Sequence, residues 1–409
     1  MVPNGWKIGV VDDIAKVTSG GTPSRNKDSY WNGHIPWVTT SEVKFGVITD
    51  TEQKITQEGL DNSSAKLFPE DTILMAMYGQ GKTRGQVAKL GIEASTNQAC
   101  AALLLHKEHD VDYYYQYLTS QYENIRELAN SGGQQNLSAG IIKDIHVPIP
   151  PLPEQRKIAK ILSTWDKAIA TTEKLIETSK QQKKALMQQL LTGKKRLVNP
   201  ETGKAFQGEW ERYSMSDLVS IDRKSLGKKT ADDFTFQYIS LSDVDVGSIS
   251  DELEVHLFAS APSRARRIIQ EGDILLSTVR PNLKGFAKVS GNHADCIAST
   301  GFSVLTPKKR VSGDYIYQYI FSSHVTGQID SLVVGSNYPA INSSDVAGLK
   351  VYCPTYEEQQ KIASVLTVAD KEIEVLEVKL AHFKQEKKAL MQQLLTGKRR
   401  VKVNEEVAA

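Results

Sequence analysis

The side chains best suited to chemistry in this chain lie in short, glycine-rich polar stretches. In the first third these are Ser19-Gly-Gly-Thr-Pro-Ser-Arg25, Tyr78-Gly-Gln-Gly-Lys-Thr-Arg-Gly85, Ser95-Thr-Asn-Gln98 and Gly132-Gly-Gln-Gln-Asn136. Further along come Arg280-Pro-Asn-Leu-Lys-Gly285, Ser299-Thr-Gly-Phe302 and Gly335-Ser-Asn-Tyr338, with Arg264, Arg266 and Arg267 nearby. Glycine lets a backbone approach a groove closely, and Arg, Lys, Asn and Gln carry the donors and acceptors that distinguish base edges. One candidate set for double-stranded DNA is Thr22, Ser24, Arg25, Tyr78, Gln80, Lys82, Thr83, Arg84, Asn97, Gln98, Gln134 and Gln135. The other is Arg264, Arg266, Arg267, Arg280, Asn282, Lys284, Ser336, Asn337 and Tyr338. Any one such loop also suits a plain connector, and it is their repeated placement that favours recognition.

Catalytic alternatives are weaker. Ala76-Met-Tyr-Gly-Gln-Gly-Lys-Thr83 ends like a phosphate-binding loop, but Ala76 replaces its opening glycine and Arg84-Gly85 is a poor helix start. An ATP-dependent enzyme would lose nucleotide binding on Lys82→Ala. The histidines show no HExxH, and His106 with His109 lies in a polar turn that reads as surface. Cys100, Cys296 and Cys353 form no CxxC, which suits buried reduced thiols and gives no metal site.

The elements that must position these loops follow from a duplication. Residues 154–197 and 358–401 align without a gap at an offset of 204 and match at 25 of 44 positions. Lys183 to Gly193 and Lys387 to Gly397 both read KKALMQQLLTG, and Trp6 and Asp13 match Trp210 and Asp217. Ile158, Leu162, Trp165, Ile169, Thr172, Ile176, Ser179, Lys183, Leu186 and Leu190 step by four and three, the period of a long helix. The second copy keeps that register and is polar only at Lys387. Pro148, Pro150, Pro151 and Pro153 precede the first helix, and Gly193 and Gly397 supply stops. Each helix spans about 58 Å at about 1.5 Å per residue. The two copies are expected to pair as an antiparallel coiled coil. Ile161, Leu175, Met187, Leu191, Val365, Val375, Met391 and Leu395 widen the apolar surface beyond one seam, and either a partner's helices or the chain's own domains could cover them.

The fold class expected is α/β (α+β). Residues 1–150 form a first recognition domain, 151–197 a central helix, 205–354 a second recognition domain and 355–401 a C-terminal helix. At 409 residues with 40% hydrophobic and 24% charged, the chain has core enough for several domains and is unlike a disordered one. The net charge of +2 hides 12 basic against 5 acidic residues in 151–204, a surplus suited to a polyanion or an acidic partner. The longest strongly apolar run, Ala99 to Leu105, is far below the roughly 20 residues of a membrane span, and Met1 to Val10 lacks a signal peptide's apolar core. A cytoplasmic location without membrane contact is expected.

PIPPLPEQRKIAKIL at Pro148 with CPTYEEQQKIASVL at Cys353, SGGTPS at Ser19, YWNGHIPW at Tyr30 and a long helix after each domain resemble the specificity subunit of type I restriction-modification enzymes. The second lead-in departs from the pattern, with PPLPEQ replaced by PTYEEQ. The resemblance implies two target recognition domains, each reading half of a bipartite, asymmetric DNA site, with the helices as spacer and dock for two modification subunits. It implies restriction subunits in the full complex, with S-adenosylmethionine, ATP and Mg belonging to those partners and no cofactor in this chain. The sequence carries no [DNS]PP[YFW] motif of an adenine methyltransferase. A stand-alone bipartite DNA-binding regulator is the alternative. If the helices hold the readers apart, their length bounds the half-site separation, and one DNA turn of about 34–36 Å would put both readers on one side of the duplex.

Overall fold

The computed structural model describes residues 2–79, 82–128, 136–333 and 339–403. Two uninterrupted apolar runs explain the first domain. Ile73–Ala76 and Cys100–Leu105 pair antiparallel inside a five-stranded sheet, flanked by Ala15–Ser19 on one side and by Val87–Leu90 and Val47–Ile48 on the other. Side chains alternate across a strand, so Ile73, Met75, Ala101 and Leu103 enter one core, while Leu74, Ala76, Cys100 and Ala102 enter a second core on the opposite face. Strands covered on both faces have no need of polar residues. A four-stranded sheet, Gln53–Ile55, Trp31–Val38, Ala94–Thr96 and Leu67–Phe68, and the antiparallel pair Lys7–Val10 with His146–Ile149 belong to the same domain.

The second domain repeats this plan. Val219–Ile221, Phe302–Pro307, Ile274–Ser277 and Phe286–Lys288 form one sheet, and Glu254–Leu257, Thr235–Ile239, Ile297–Ser299 and Ala265–Ile268 the other. Ile274, Leu276 and Leu305 again face one core, and Leu275 and Val304 the opposite one. The three cysteines are free and buried, and burial pushes the thiols of Cys100 and Cys353 up to about 12, which keeps them protonated.

The repeated segments are helices of 39 residues each, Leu152–Leu190 (the central helix) and Tyr356–Leu394 (the C-terminal helix). They pack as an antiparallel, coiled-coil-like pair. The compact units of the chain cut across sequence order: one comprises Met1–Glu173 with Val378–Ala409, the other Lys174–Glu377. Each unit thus holds one globular domain and half of each helix. In the first, Ile158, Ala159 and Leu162 share a core with Leu394 and Leu395; in the second, Ile362, Ala363 and Leu366 share one with Leu190 and Leu191.

Polar contacts repeat just as faithfully. The EQ pair at the start of each helix is buried and used as a clamp. Glu154 is held by Arg400 and by the Trp6 indole N–H at 3.2 Å, and Glu358 by Arg196 through two bonds of 2.7 Å. Gln155 donates to the Pro150 carbonyl at 2.8 Å and accepts from the Asp110 N–H. Gln359 does the same with Pro354 and Ser312, so the second lead-in is tied down despite its missing prolines. The polar intruders in the apolar register are also explained. Asp166 accepts from Lys387 on the facing helix and from Gln116 of the domain helix Val111–Ser120. Asp370 accepts from Lys183 and Gln318 in the same way. Gly193 and Gly397 end the helices at φ +70° and +72°, where a side chain would meet Trp210 or Pro3.

Candidate nucleic-acid interface

The stretches around Lys82 and Arg280 occupy the same structural position. Ile73–Ala76 turns back into Val87–Leu90, and Ile274–Ser277 into Phe286–Lys288, as antiparallel hairpins whose tips carry these residues. A strand follows Lys82-Thr83 where a phosphate-binding loop would require a helix, so this segment is a hairpin tip and not a nucleotide cradle.

At the first tip Tyr78 and Lys82 are exposed and Thr83 and Arg84 half-buried. Tyr122, which sequence reasoning missed, donates its hydroxyl to the Lys82 carbonyl and stacks edge-on against exposed Phe45 at 5.1 Å. At the second tip, a single turn, Pro281–Leu283, is bracketed by Arg280 at φ +48° and Lys284 at φ +54°. Non-glycine residues held in the left-handed region store strain and cluster at functional sites. The Arg280 N–H bonds to the Pro339 carbonyl at 2.7 Å, anchoring the tip. Asn282 is exposed beside Leu283.

The Ser19 and Ser95 stretches are brought together, since Thr22 donates to Gln98. Their glycines serve the fold itself: a Cβ on Gly20 would lie 2.1 Å from the Thr96 carbonyl oxygen, and one on Gly21 2.3 Å from the Ser64 carbonyl carbon. The expectation that these glycines approach a groove is therefore corrected; they let the chain approach its own backbone. Ser24 accepts from the Trp31 indole through its carbonyl. Arg25 stacks its guanidinium on Trp31 at 3.8 Å and donates to Gln53 at 2.7 Å, which holds an exposed cation in one orientation. Asn97 caps its own turn by accepting from the Ala99 N–H at 3.1 Å.

In the second domain Arg264 is exposed, and Arg266 lies over Phe258 at 4.8 Å with a bond to the Ala265 carbonyl. Arg267 faces inward, 2.8 Å from Asp222, with side-chain exposures of 19% and 12%. Gln80, Gln134, Gln135, Ser336, Asn337 and Tyr338 lie outside the described residues. His106 is exposed, whereas His109 packs edge-on against Tyr114 at 5.6 Å, and burial holds its pKa below 6.5.

The surplus apolar positions divide. Leu191 and Leu395 are buried in the cores of their own units, and Ile161, Met187, Val365 and Met391 pack on those cores. At Leu191 and Leu395 the chain's own domain is the cover, and the expectation of a partner at these two is corrected; the other four keep part of their surface exposed. Leu175 and Val375 stay exposed at 49% and 64%, joined by Val368 and Val378 on the C-terminal helix, which the heptad reading missed. Among the described residues no helix is long and apolar enough to cross a membrane.

Comparison with known proteins places this geometry. The family profile described as "Type I restriction modification DNA specificity domain" matches residues 3–181 and again 207–383. The chain is 25% identical over 417 residues to the type I restriction enzyme MjaVIII specificity subunit of Methanocaldococcus jannaschii, covering 98% of this chain and 94% of that one. It is 30% identical over 167 residues to the EcoR124I/EcoR124II specificity subunit of Escherichia coli, covering 39% and 40% of the two chains. Its fold is similar to the crystal structure of a type I restriction-modification S subunit from M. genitalium, with a TM-score of 0.62, 16% identity and coverage of 97% and 98%.

Proposed function

The chain belongs to the type I restriction-modification DNA specificity family, and we propose that it reads a bipartite, asymmetric double-stranded DNA site, one half per target recognition domain. The observation that carries this reading is the pair of equivalent hairpin tips. One sheet plan presents Lys82-Thr83-Arg84 in the first domain and Arg280-Pro281-Asn282-Leu283-Lys284 in the second. A duplicated frame with divergent donors at the same tip suits two different half-sites, because side-chain identity and placement select base edges. Arg25, Asn97 and Gln98 contribute beside the first tip, and Arg264 and Arg266 beside the second.

In this reading the chain is not catalytic. Methyl transfer belongs to two modification subunits, which dock on the helices at Leu175, Val368, Val375 and Val378, and cleavage belongs to restriction subunits. Exposed valines on a long charged helix are apolar area that association would remove from water. The test is methylation-site sequencing of cells carrying this chain with its modification subunit. An asymmetric motif split by an unspecified spacer is expected. A continuous motif, or methyl transfer by the purified chain alone, would overturn the reading.

A further inference from the structure

The last turns of the central helix carry charge that no internal contact consumes. Lys180 and Lys183 are paired with Glu377 and Asp370 of the facing helix. Lys184 and Lys194 point elsewhere. Together with Lys284 of the hairpin tip they line a cleft of about 700 Å³, with Met187, Phe321 and His324 among its walls. No carboxylate lines this cleft. None of its three lysines has an ion-pair partner among the described residues. Their placement is fixed: Leu190 and Leu191 are buried in the domain core, which clamps the helix end, and Lys284 sits in the anchored, left-handed tip.

The helix-end lysines are repeated in the sequence. Lys388 and Lys398 take the corresponding places at the end of the C-terminal helix, both exposed, with Leu394 and Leu395 buried in the core of the first unit. Ammonium groups are compact point charges that suit phosphate oxygens, and contacts to phosphates carry no base information. The acid-free lysine cluster at the foot of the Arg280 tip thus fits a phosphodiester backbone.

We propose that the helix ends are phosphate clamps. Lys184, Lys194 and Lys284 in the second unit, and Lys388 and Lys398 in the first, neutralise the DNA backbone next to the bases that the adjoining tip reads. The helices then have two separate duties, since the exposed valines remain for protein partners. The inference rests on the reading of the chain as a DNA specificity subunit and adds to it a sequence-independent surface that runs from the edge of the recognition tip onto the helix end.

The experiment measures binding of the full chain, assembled with its modification subunits, to a duplex bearing its methylation motif and to a scrambled duplex, at about 50 to 200 mM salt. Lys184→Gln with Lys194→Gln, both exposed and therefore harmless to folding, should lower the slope of log K against log salt by nearly two, at about 0.9 per phosphate contact. Both duplexes should be affected alike, with the motif and subunit co-elution unchanged, and Lys174→Gln on the same helix should change nothing. An unchanged slope overturns the clamp while leaving the specificity reading intact. A relaxed motif, or lost co-elution at unchanged slope, also overturns it by reassigning the lysines to bases or to protein. Wild-type complex that binds neither duplex overturns both readings.

Discussion

Arg267 and Arg280 are the same residue type in one domain, yet Arg267, in the strand Ala265–Ile268, lies 2.8 Å from Asp222 and Arg280 holds a strained, exposed hairpin tip. Asp222 also accepts from the Val304 N–H and the Ser343 hydroxyl, so Arg267 completes a half-buried polar knot. Arg267→Ala is expected to destabilise the second unit toward the lower end of about 3–5 kcal/mol, because the carboxylate keeps its other two donors. Thermal unfolding should show the loss while the methylation motif stays unchanged; an altered motif would make Arg267 a reader. Arg280 is tested at the DNA. Arg280→Asn, a residue that tolerates the left-handed backbone, should relax one half-site at a cost of about 1–3 kcal/mol. Randomised-site selection measures this, and relaxation of both halves together would refute the assignment. Sequence could name both arginines but not separate them, since the partner that decides, Asp222, lies 45 positions away in a segment with no distinguishing pattern. Glycine misled for a similar reason: composition does not say whether a Gly approaches a ligand or, as at Gly20, another strand of its own domain.

The helices were far more legible, because a four-and-three apolar period survives any tertiary detail. Their polar exceptions needed the structure. Lys183 and Lys387 interrupt the seam, and each is 16% or less exposed and joined to an aspartate that a domain-helix glutamine also holds. A polar group inside a seam specifies register at some expense of stability. Asp370→Ala should therefore destabilise the second unit by about 1–3 kcal/mol, through the unmet donors of Lys183 and Gln318. Lys183→Met with Asp370→Leu, which removes the charge pair and leaves an apolar seam, should recover most of that loss. The coupling between the two positions in a double-mutant cycle is the measurement, and a value near zero would show that the lysine merely lies along the seam with its charge in water. The flanking apolar residues were ambiguous from sequence for a physical reason: Leu191 and Leu395 look like seam residues but fall where each helix end meets its globular domain, a contact with no period of its own.

For the molecule as a whole, the duplication announced two domains and two helices, but not that each compact unit would draw on both helices. The division falls between Glu173 and Lys174 and between Glu377 and Val378, and the ion pairs respect it: Lys384 meets Glu173 on one side, Lys180 meets Glu377 on the other. This decides where the proposed spacer can be lengthened. The chain end near Leu191 looks tolerant in the sequence, yet Leu191 is buried and Gly193 lies against Trp210, so four residues inserted there would dismantle a core. At the two midpoints, four residues added to both helices leave each unit's contacts internal and pair with each other as a local stutter. The insertion lengthens the pair by about 6 Å at about 1.5 Å per residue, close to two base pairs at about 3.4 Å each. If the helices set the distance between readers, the unspecified spacer should grow by about one or two base pairs while both half-site sequences persist, since no recognition loop is touched. Insertion into one helix alone should instead shift the ion pairs out of register and lower the unfolding temperature. Methylation-site sequencing decides the matter: an unchanged spacer in an active, doubly extended complex would mean that something other than helix length fixes the distance.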